Sequence, residues 1–362
     1  MDERRKLVFR ALTLKEPISS LAIEFGVSRT TAHMWVKRGR EQGVTQFQEL
    51  SRKPLKLRES VSEDVVKKVL ALKADREHWG AKKIHHALWA DGDAPVCPRT
   101  IGRILRQNLG PTPKPVEHPS VGRYERAKPN ELWQMDFKGL GENPPPYLIF
   151  SFIDDHSRFA LGLPIIAAPT KELVFDAVWE MLGAFGMPEE ILSDNESCFH
   201  STHSLGPSYL EAKLWRLGIK TPHGRPAHPQ TQGKVERFHR TMQQELGVSL
   251  RGPDPDKTSR LLEAFQNDYN WARPHESLNG RLPGSVYRVS EVPRPDQIPE
   301  ATHPDGAELR RVGKNGLFKR KGISYRPGTG VGGDYVALLE TERGLEVSYA
   351  NRTFALLHQL KV

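Results

Sequence analysis

Three carboxylates occupy stretches of sequence suited to holding them in place. Asp136 lies in Leu132-Trp133-Gln134-Met135-Asp136-Phe137, Asp194 in Ile191-Leu192-Ser193-Asp194-Asn195, and Glu236 in Gly233-Lys234-Val235-Glu236-Arg237-Phe238. The first two follow apolar runs and read as strand-end residues. Val235, Phe238, Met242 and Leu246 recur at helical spacing, which puts Glu236 at the edge of a buried stripe. Carboxylates gathered in one crevice repel each other, and a divalent cation relieves that repulsion. Magnesium favours oxygen ligands and keeps several waters, so few protein carboxylates suffice. Two ions about 4 Å apart suit an in-line displacement at phosphorus, one serving the attacking oxygen and one the leaving oxygen. The expected cofactor is therefore Mg²⁺ or Mn²⁺, two ions per active site. Asp136 is expected to bridge them, with Asp194 on one ion and Glu236 on the other. Asp154 and Asp155 are rivals, but their Asp-Asp-His-Ser-Arg turn reads as a hairpin in which aspartate is often structural. His200, His223 and His228 read as loop or substrate contacts, or as ordinary surface histidines.

The rest of the chain fits a phosphodiester substrate. Its 362 residues carry a formal charge of +9, which favours a polyanionic partner. Its two cysteines, Cys97 and Cys198, form neither a disulfide framework nor a zinc motif. No apolar run approaches the roughly 20 residues that span a bilayer, and the opening Met-Asp-Glu-Arg-Arg-Lys lacks the apolar segment of a signal peptide. A cytoplasmic protein without membrane contact is expected.

Elements to position these residues can be read along the chain. Residues 1–52 read as a helix-turn-helix DNA-binding domain. Leu21, Ala22 and Phe25 form an apolar stripe, Gly26 permits the tight turn and Ser28 caps the next helix. That helix buries Ala32, Trp35 and Val36 and turns Arg29, Thr30, His33, Lys37 and Arg38 outward, as a major-groove helix would. Residues 53–110 read as a second helix-turn-helix-like domain, whose last helix opens at Pro98 and offers Arg99, Arg103 and Arg106 to DNA. Prolines punctuate a linker at 111–130. Residues 131–290 run β-β-β-α-β-α-β-α, which indicates an α/β domain with a mixed sheet and flanking helices. Within it, Phe159–Ile166 reads as one strand and 218–221 as another. Lys234, Arg237, His239 and Arg240 are expected to line a DNA path beside Glu236. A second linker at 291–305 leads to residues 306–362, whose short strands and glycines suggest a small β-barrel. Its Lys319, Arg320 and Lys321 are candidates for tracking a phosphate backbone.

Taken together, these motifs closely resemble those of insertion-sequence transposases of the DDE type, whose core is similar to retroviral integrase. The resemblance runs through Leu132–Asp136, Phe152–Arg158, Ser193–Asn195, His228–Thr241 and the downstream Tyr269-Asn270-Trp271-Ala272-Arg273-Pro274-His275-Glu276-Ser277-Leu278. It implies a ribonuclease-H-like core, dependence on divalent metal, cleavage at transposon ends and transfer of the 3′-OH to target DNA. It also assigns the catalytic roles to Asp136, Asp194 and Glu236. Two departures stand out. Glu196 replaces the family's usual glycine, adding a fourth carboxylate, and Asp194 and Glu236 lie 42 positions apart, more than the usual gap.

The expected partners are double-stranded DNA, both transposon ends and target, and further copies of the chain in a dimer or higher multimer. Two other readings remain open at this stage. One is a structure-specific nuclease without strand transfer, and the other is a DNA-binding regulator whose core is catalytically silent.

Overall fold

The computed structural model describes residues 3–43, 61–90, 92, 94–111, 125–139, 147–194, 196–201, 205–222, 233–250 (side chains 248 and 249 excepted) and 254–362. The chain divides into two compact units, Met1–Ser60 and Val61–Val362.

The first unit contains α1 (Glu3–Thr13), α2 (Ile18–Glu24) and α3 (Arg29–Gln42). Leu7, Leu21, Ala22, Ala32 and Val36 make its core. α1 and α3 cross closely because Gly39 has no side chain: a Cβ there would fall 2.1 Å from Val8 Cγ1. The turn before α3 needs Gly26 at φ +62°, and Ser28 Oγ then accepts the Thr31 N–H at 3.1 Å. These are the turn and cap expected of a helix-turn-helix.

The second unit begins with α4 (Glu63–Asp75), α5 (Ala81–Leu88) and α6 (Pro98–Leu109), packed around Val69, Trp79, Ile84, Ile101 and Ile104. These helices dock on the α/β core. The Arg76 guanidinium donates to Asp268 at 2.5 Å, and Lys83 lies 3.7 Å from Glu276.

That core holds β1 (Trp133–Gly139), β2 (Leu148–Asp154), β3 (Ala160–Gly162), β4 (Ile165–Ile166) and β5 (Ile191–Leu192). Their order is β3-β2-β1-β5, with β4 also paired to β2. β1 is antiparallel to β2 and parallel to β5, so the sheet is mixed, as expected. The single strand expected over Phe159–Ile166 is two short ones. Pro164 between them has no N–H to give a ladder, and only its carbonyl pairs, accepting from the Phe150 N–H at 2.8 Å. The strand expected at 218–221 contributes one bridge, Lys220 to Glu190.

Side-chain alternation along β1 and β2 divides the sheet into two faces. Trp133, Met135, Phe150 and Phe152 pack on α7 (Lys171–Phe185) and α8 (Tyr209–Arg216), through Val174, Val178, Leu182, Leu210 and Leu214. Ile149 and Ile153 face the other way, onto α9 (Gly233–Leu246) and α10 (Pro255–Trp271), meeting Val235, Phe238, Met242 and Leu262. Each fully buried side chain of this size contributes about 1.5–3 kcal/mol, so both helical layers are firmly held. Gln134 and Asp136 alternate onto the α9 face.

The C-terminal region has β6 (Glu308–Arg311), β7 (Phe318–Arg320), β8 (Ile323–Tyr325), β9 (Tyr335–Thr341), β10 (Gly344–Tyr349) and β11 (Arg352–Leu356). The expected small barrel is not closed. β11-β10-β9-β6 form one antiparallel sheet and β7-β8 a separate hairpin. A shared apolar cluster of Val312, Phe318, Tyr325, Val336 and Val347 joins them by packing instead of by a continuous ladder. The region is seated against the start of α8. A Cβ at Gly330 would meet the Pro207 carbonyl at 2.1 Å. Among the described residues, no helix is long and apolar enough to cross a membrane.

Candidate active site

The register of the parallel strands brings two of the three acids together. Gln134 pairs with Leu192, so continuing that register two residues past the end of β5 sets Asp136 opposite Asp194, whose charge acts on it. Asp136 Oδ1 accepts the Phe137 N–H at 2.9 Å, and Asp194 Oδ1 accepts the Glu196 N–H at 3.1 Å. Glu236 lies in the first turn of α9 with its side chain exposed. Burial pushes the Asp136 carboxyl up to about 7, and Asp194, Glu196 and Glu236 add to the shift by like-charge repulsion. Burial and Asp194 likewise raise Glu196. The fourth carboxylate singled out in the sequence therefore belongs electrically to the same cluster.

Among the described residues, no three His, Cys, Asp or Glu side chains stand close enough to cage a metal unaided. The donor chemistry nonetheless fits a hard divalent cation. The donors are carboxylate oxygens, and the charged groups acting most strongly on Asp136 are all acidic.

α9 is registered against the sheet by a buried polar cluster. Gln134 Oε1 accepts the Val235 N–H at 3.3 Å, while Gln134 Nε2 donates to Asp155 Oδ1 at 2.8 Å. Asp155 also accepts from the Arg126 N–H at 2.9 Å and from the Lys234 ammonium. Its neighbour Asp154 accepts from the Asn130 N–H at 2.8 Å and from the Ser157 N–H and hydroxyl at 2.7 and 2.6 Å. Both aspartates are fully buried and saturated with protein donors, so the rivals are structural.

Two residues expected along the DNA path point inward. Lys234 is paired with Asp155, and His239 is buried, with its imidazole pushed down to about 4 by burial. Residues 235, 238, 239 and 242 form one helical arc, and 234 stacks one turn before 238. The apolar stripe was thus one residue wider than its apolar members. His200, expected on a loop or surface, is also buried, between Ser193 Oγ at 3.3 Å and Glu211 at 3.1 Å. His223 and His228 lie outside the described residues, as does Asn195.

The remaining expected DNA contacts are distributed over both units. Arg29, Thr30, His33 and Lys37 are exposed on α3, where Arg38 is half-buried. Arg99, Arg103 and Arg106 are exposed along α6, opposite the buried Ile101, Ile104 and Leu105. Arg237 and Arg240 are exposed on α9, and Lys319 and Lys321 on the C-terminal hairpin. Arg320 instead folds back on Glu308 at 2.9 Å.

Comparison with known proteins agrees with this architecture. The chain matches the family described as "Integrase core domain" over residues 126–229 and again over 217–283, and a "Homeodomain-like domain" over 31–105. It is 26% identical over 290 residues to the transposase for transposon Tn552 of Staphylococcus aureus, covering 70% of this chain and 58% of that protein. It is 27% identical over 217 residues to the transposase InsD of insertion element IS2 of Escherichia coli, covering 55% of this chain and 68% of the relative. The chain therefore spans less than two thirds of the staphylococcal relative. Among solved structures, the catalytic core domain of BIV integrase aligns with 44% of this chain and 93% of its own, at 25% identity and a TM-score of 0.35. By its two integrase-core matches, its homeodomain-like match and its relatives, the chain carries an integrase core domain and a homeodomain-like domain and is similar to transposases of the integrase-core type.

Proposed function

We propose that this chain is a DNA transposase that binds the terminal repeats of its element, cleaves at the ends and transfers the 3′-OH to target DNA. The observation that carries the reading is Asp136, a largely buried carboxylate beside Asp194 whose strongest charged neighbours are Asp194, Glu196 and Glu236. Asp136 would hold both of two Mg²⁺ or Mn²⁺ ions, with Asp194 on one and Glu236 on the other. When bound, the ions supply Lewis acidity to the attacking and leaving oxygens of the phosphodiester.

The chain's own residues supply position and charge. Gln134, Asp155 and Lys234 fix α9 on the sheet and so set the height of Glu236. Arg237 and Arg240, exposed on that helix, are suited to the phosphates flanking the scissile bond. α3 and α6 present basic faces to the terminal repeats, the former in major-groove style. The C-terminal Lys319 and Lys321 extend the phosphate track. Joining two ends to one target requires at least two active sites, so the working assembly is a dimer or higher multimer on DNA.

The test incubates purified protein with Mg²⁺ or Mn²⁺, a labelled element-end duplex and a plasmid target. Joined products that vanish with Asp136→Asn are expected. Hydrolysis without joining would make the protein a nuclease, and salt-sensitive binding without either reaction would make it a regulator.

A further inference from the structure

We propose that His239 is a positioning residue for Asp136: one imidazole on α9 bridges the cross-strand pair Asp136 and Ser151, so the helix that carries Glu236 also orients the carboxylate on β1. The inference rests on the reading of Asp136 as an ion ligand and adds the residue that aims it.

Asp136 and Ser151 are direct partners in the β1–β2 register, and both face α9. Partner side chains in such a pair stand roughly 4.5–5.5 Å apart at Cβ, a gap that one ring can bridge. His239 Nε2 lies 2.9 Å from the fully buried Ser151 Oγ, and Nδ1 lies 3.5 Å from Asp136 Oδ2. The ring itself is buried, with the side chain 7% exposed. With its proton on Nδ1, the ring offers that N–H to the carboxylate and accepts the serine hydroxyl at Nε2. The distance to Asp136 is longer than a formed hydrogen bond, and a shift of a few tenths of an ångström closes it. Contacts of this kind tighten when the site is loaded. Asp136 Oδ1 meanwhile accepts the Phe137 N–H. Both oxygens are thus directed, and each keeps a lone pair for an ion. His239 follows Glu236 by three residues, on the adjacent part of the same helix face. One rigid element would therefore set two of the three ligands.

A histidine that merely fills space or ties α9 to Ser151 would serve the fold and not Asp136, and two amide substitutions separate the roles. In His239→Asn the amide nitrogen falls near the Nδ1 position, facing Asp136 but short of Ser151. In His239→Gln it falls near Nε2, reaching Ser151 and leaving Asp136 unsupported. Mn²⁺ binding is measured by titration calorimetry on the full chain for the parent, Asp136→Asn and both variants, with metal-free thermal unfolding alongside. His239→Gln is expected to bind Mn²⁺ about 10- to 100-fold more weakly, as when a partner of a metal-bound side chain is lost. His239→Asn is expected to stay within about threefold of the parent on the same scale. Equal affinities in the two variants, whether at the parent level or equally reduced, would overturn the inference. A parent that binds no Mn²⁺, or binds it as well after Asp136→Asn, would overturn the reading of Asp136 and the inference with it. If His239→Gln does not fold, Ser151→Ala replaces it: by loosening the ring it should weaken Mn²⁺ binding several-fold, and unchanged binding would overturn the inference.

Discussion

Two sets of acidic residues on neighbouring strands have opposite surroundings. Asp154 and Asp155, at the end of β2 and the start of its turn, are fully buried, and protein donors meet both carboxylates. Asp136 on β1 is less deeply buried, yet the charges acting on it are those of other acids, and its hydrogen-bond donor is the neighbouring Phe137 N–H. Burial alone therefore does not distinguish these structural aspartates from the one proposed as an ion ligand. What distinguishes them is whether the protein supplies the compensating positive charge or leaves it to something that binds.

The sharpest way to break the comparison is to neutralise each site in turn. Asp136→Asn should abolish strand transfer, by at least about a thousandfold, while the metal-free protein melts no lower than the parent because a repulsive charge has gone. A parallel loss of melting temperature would place Asp136 with the structural aspartates. Asp155→Ala should do the reverse. It strands the Lys234 ammonium in a mostly buried setting and costs about 3–5 kcal/mol, visible as a lowered melting transition. Adding Lys234→Met should recover part of that loss, as a double-mutant cycle would register.

A smaller effect sharpens the same contrast. Mg²⁺ at about a hundred times its Kd should stabilise the parent by about 2.7 kcal/mol and leave Asp136→Asn unmoved. Equal shifts in both proteins would mean that the ion binds elsewhere.

His275 provides a third kind of titratable group, half-buried among basic residues. Burial, then Arg158, Lys83 and other basic neighbours, push its imidazole down to about 3. A depressed histidine is neutral in the fold but gains a proton on unfolding, so its contribution is intact above pH 6.5 and is lost as pH falls toward 3. Melting at pH 5.5 should lie about 1 kcal/mol below that at pH 7 for this group, and His275→Gln should flatten that part of the profile. The smallest expected effect concerns the exposed face of α6: Arg103→Ala should weaken binding to an end duplex uniformly and lower the log–log salt slope by about one unit.

Much of this arrangement was legible in the sequence because it follows from short-range rules. Alternating Trp133, Met135 and Phe137 announced β1, Ile191-Leu192 announced the strand that delivers Asp194, and helical spacing placed Glu236 at the edge of α9. The Gly26 turn and the Ser28 cap were equally local. What escaped notice depends on polar residues that the fold buries. Lys234 and His239 read as solvent-facing because they are polar, although their helical positions fall within the buried arc. Only the partners Asp155 and Ser151, remote in sequence, make that burial tolerable. His200 is inward for the same reason, held between Ser193 and Glu211. The unclosed C-terminal sheets have a different cause: strand pattern and glycine spacing mark hairpins but do not say whether the edges meet.

The most direct measurement is anomalous diffraction from crystals grown with Mn²⁺ and an element-end duplex. The account predicts manganese peaks bounded by Asp136, Asp194 and Glu236, with Asp154 and Asp155 still bound to their protein partners. Manganese absent from that crevice, or seated on Asp154 and Asp155 instead, would contradict it.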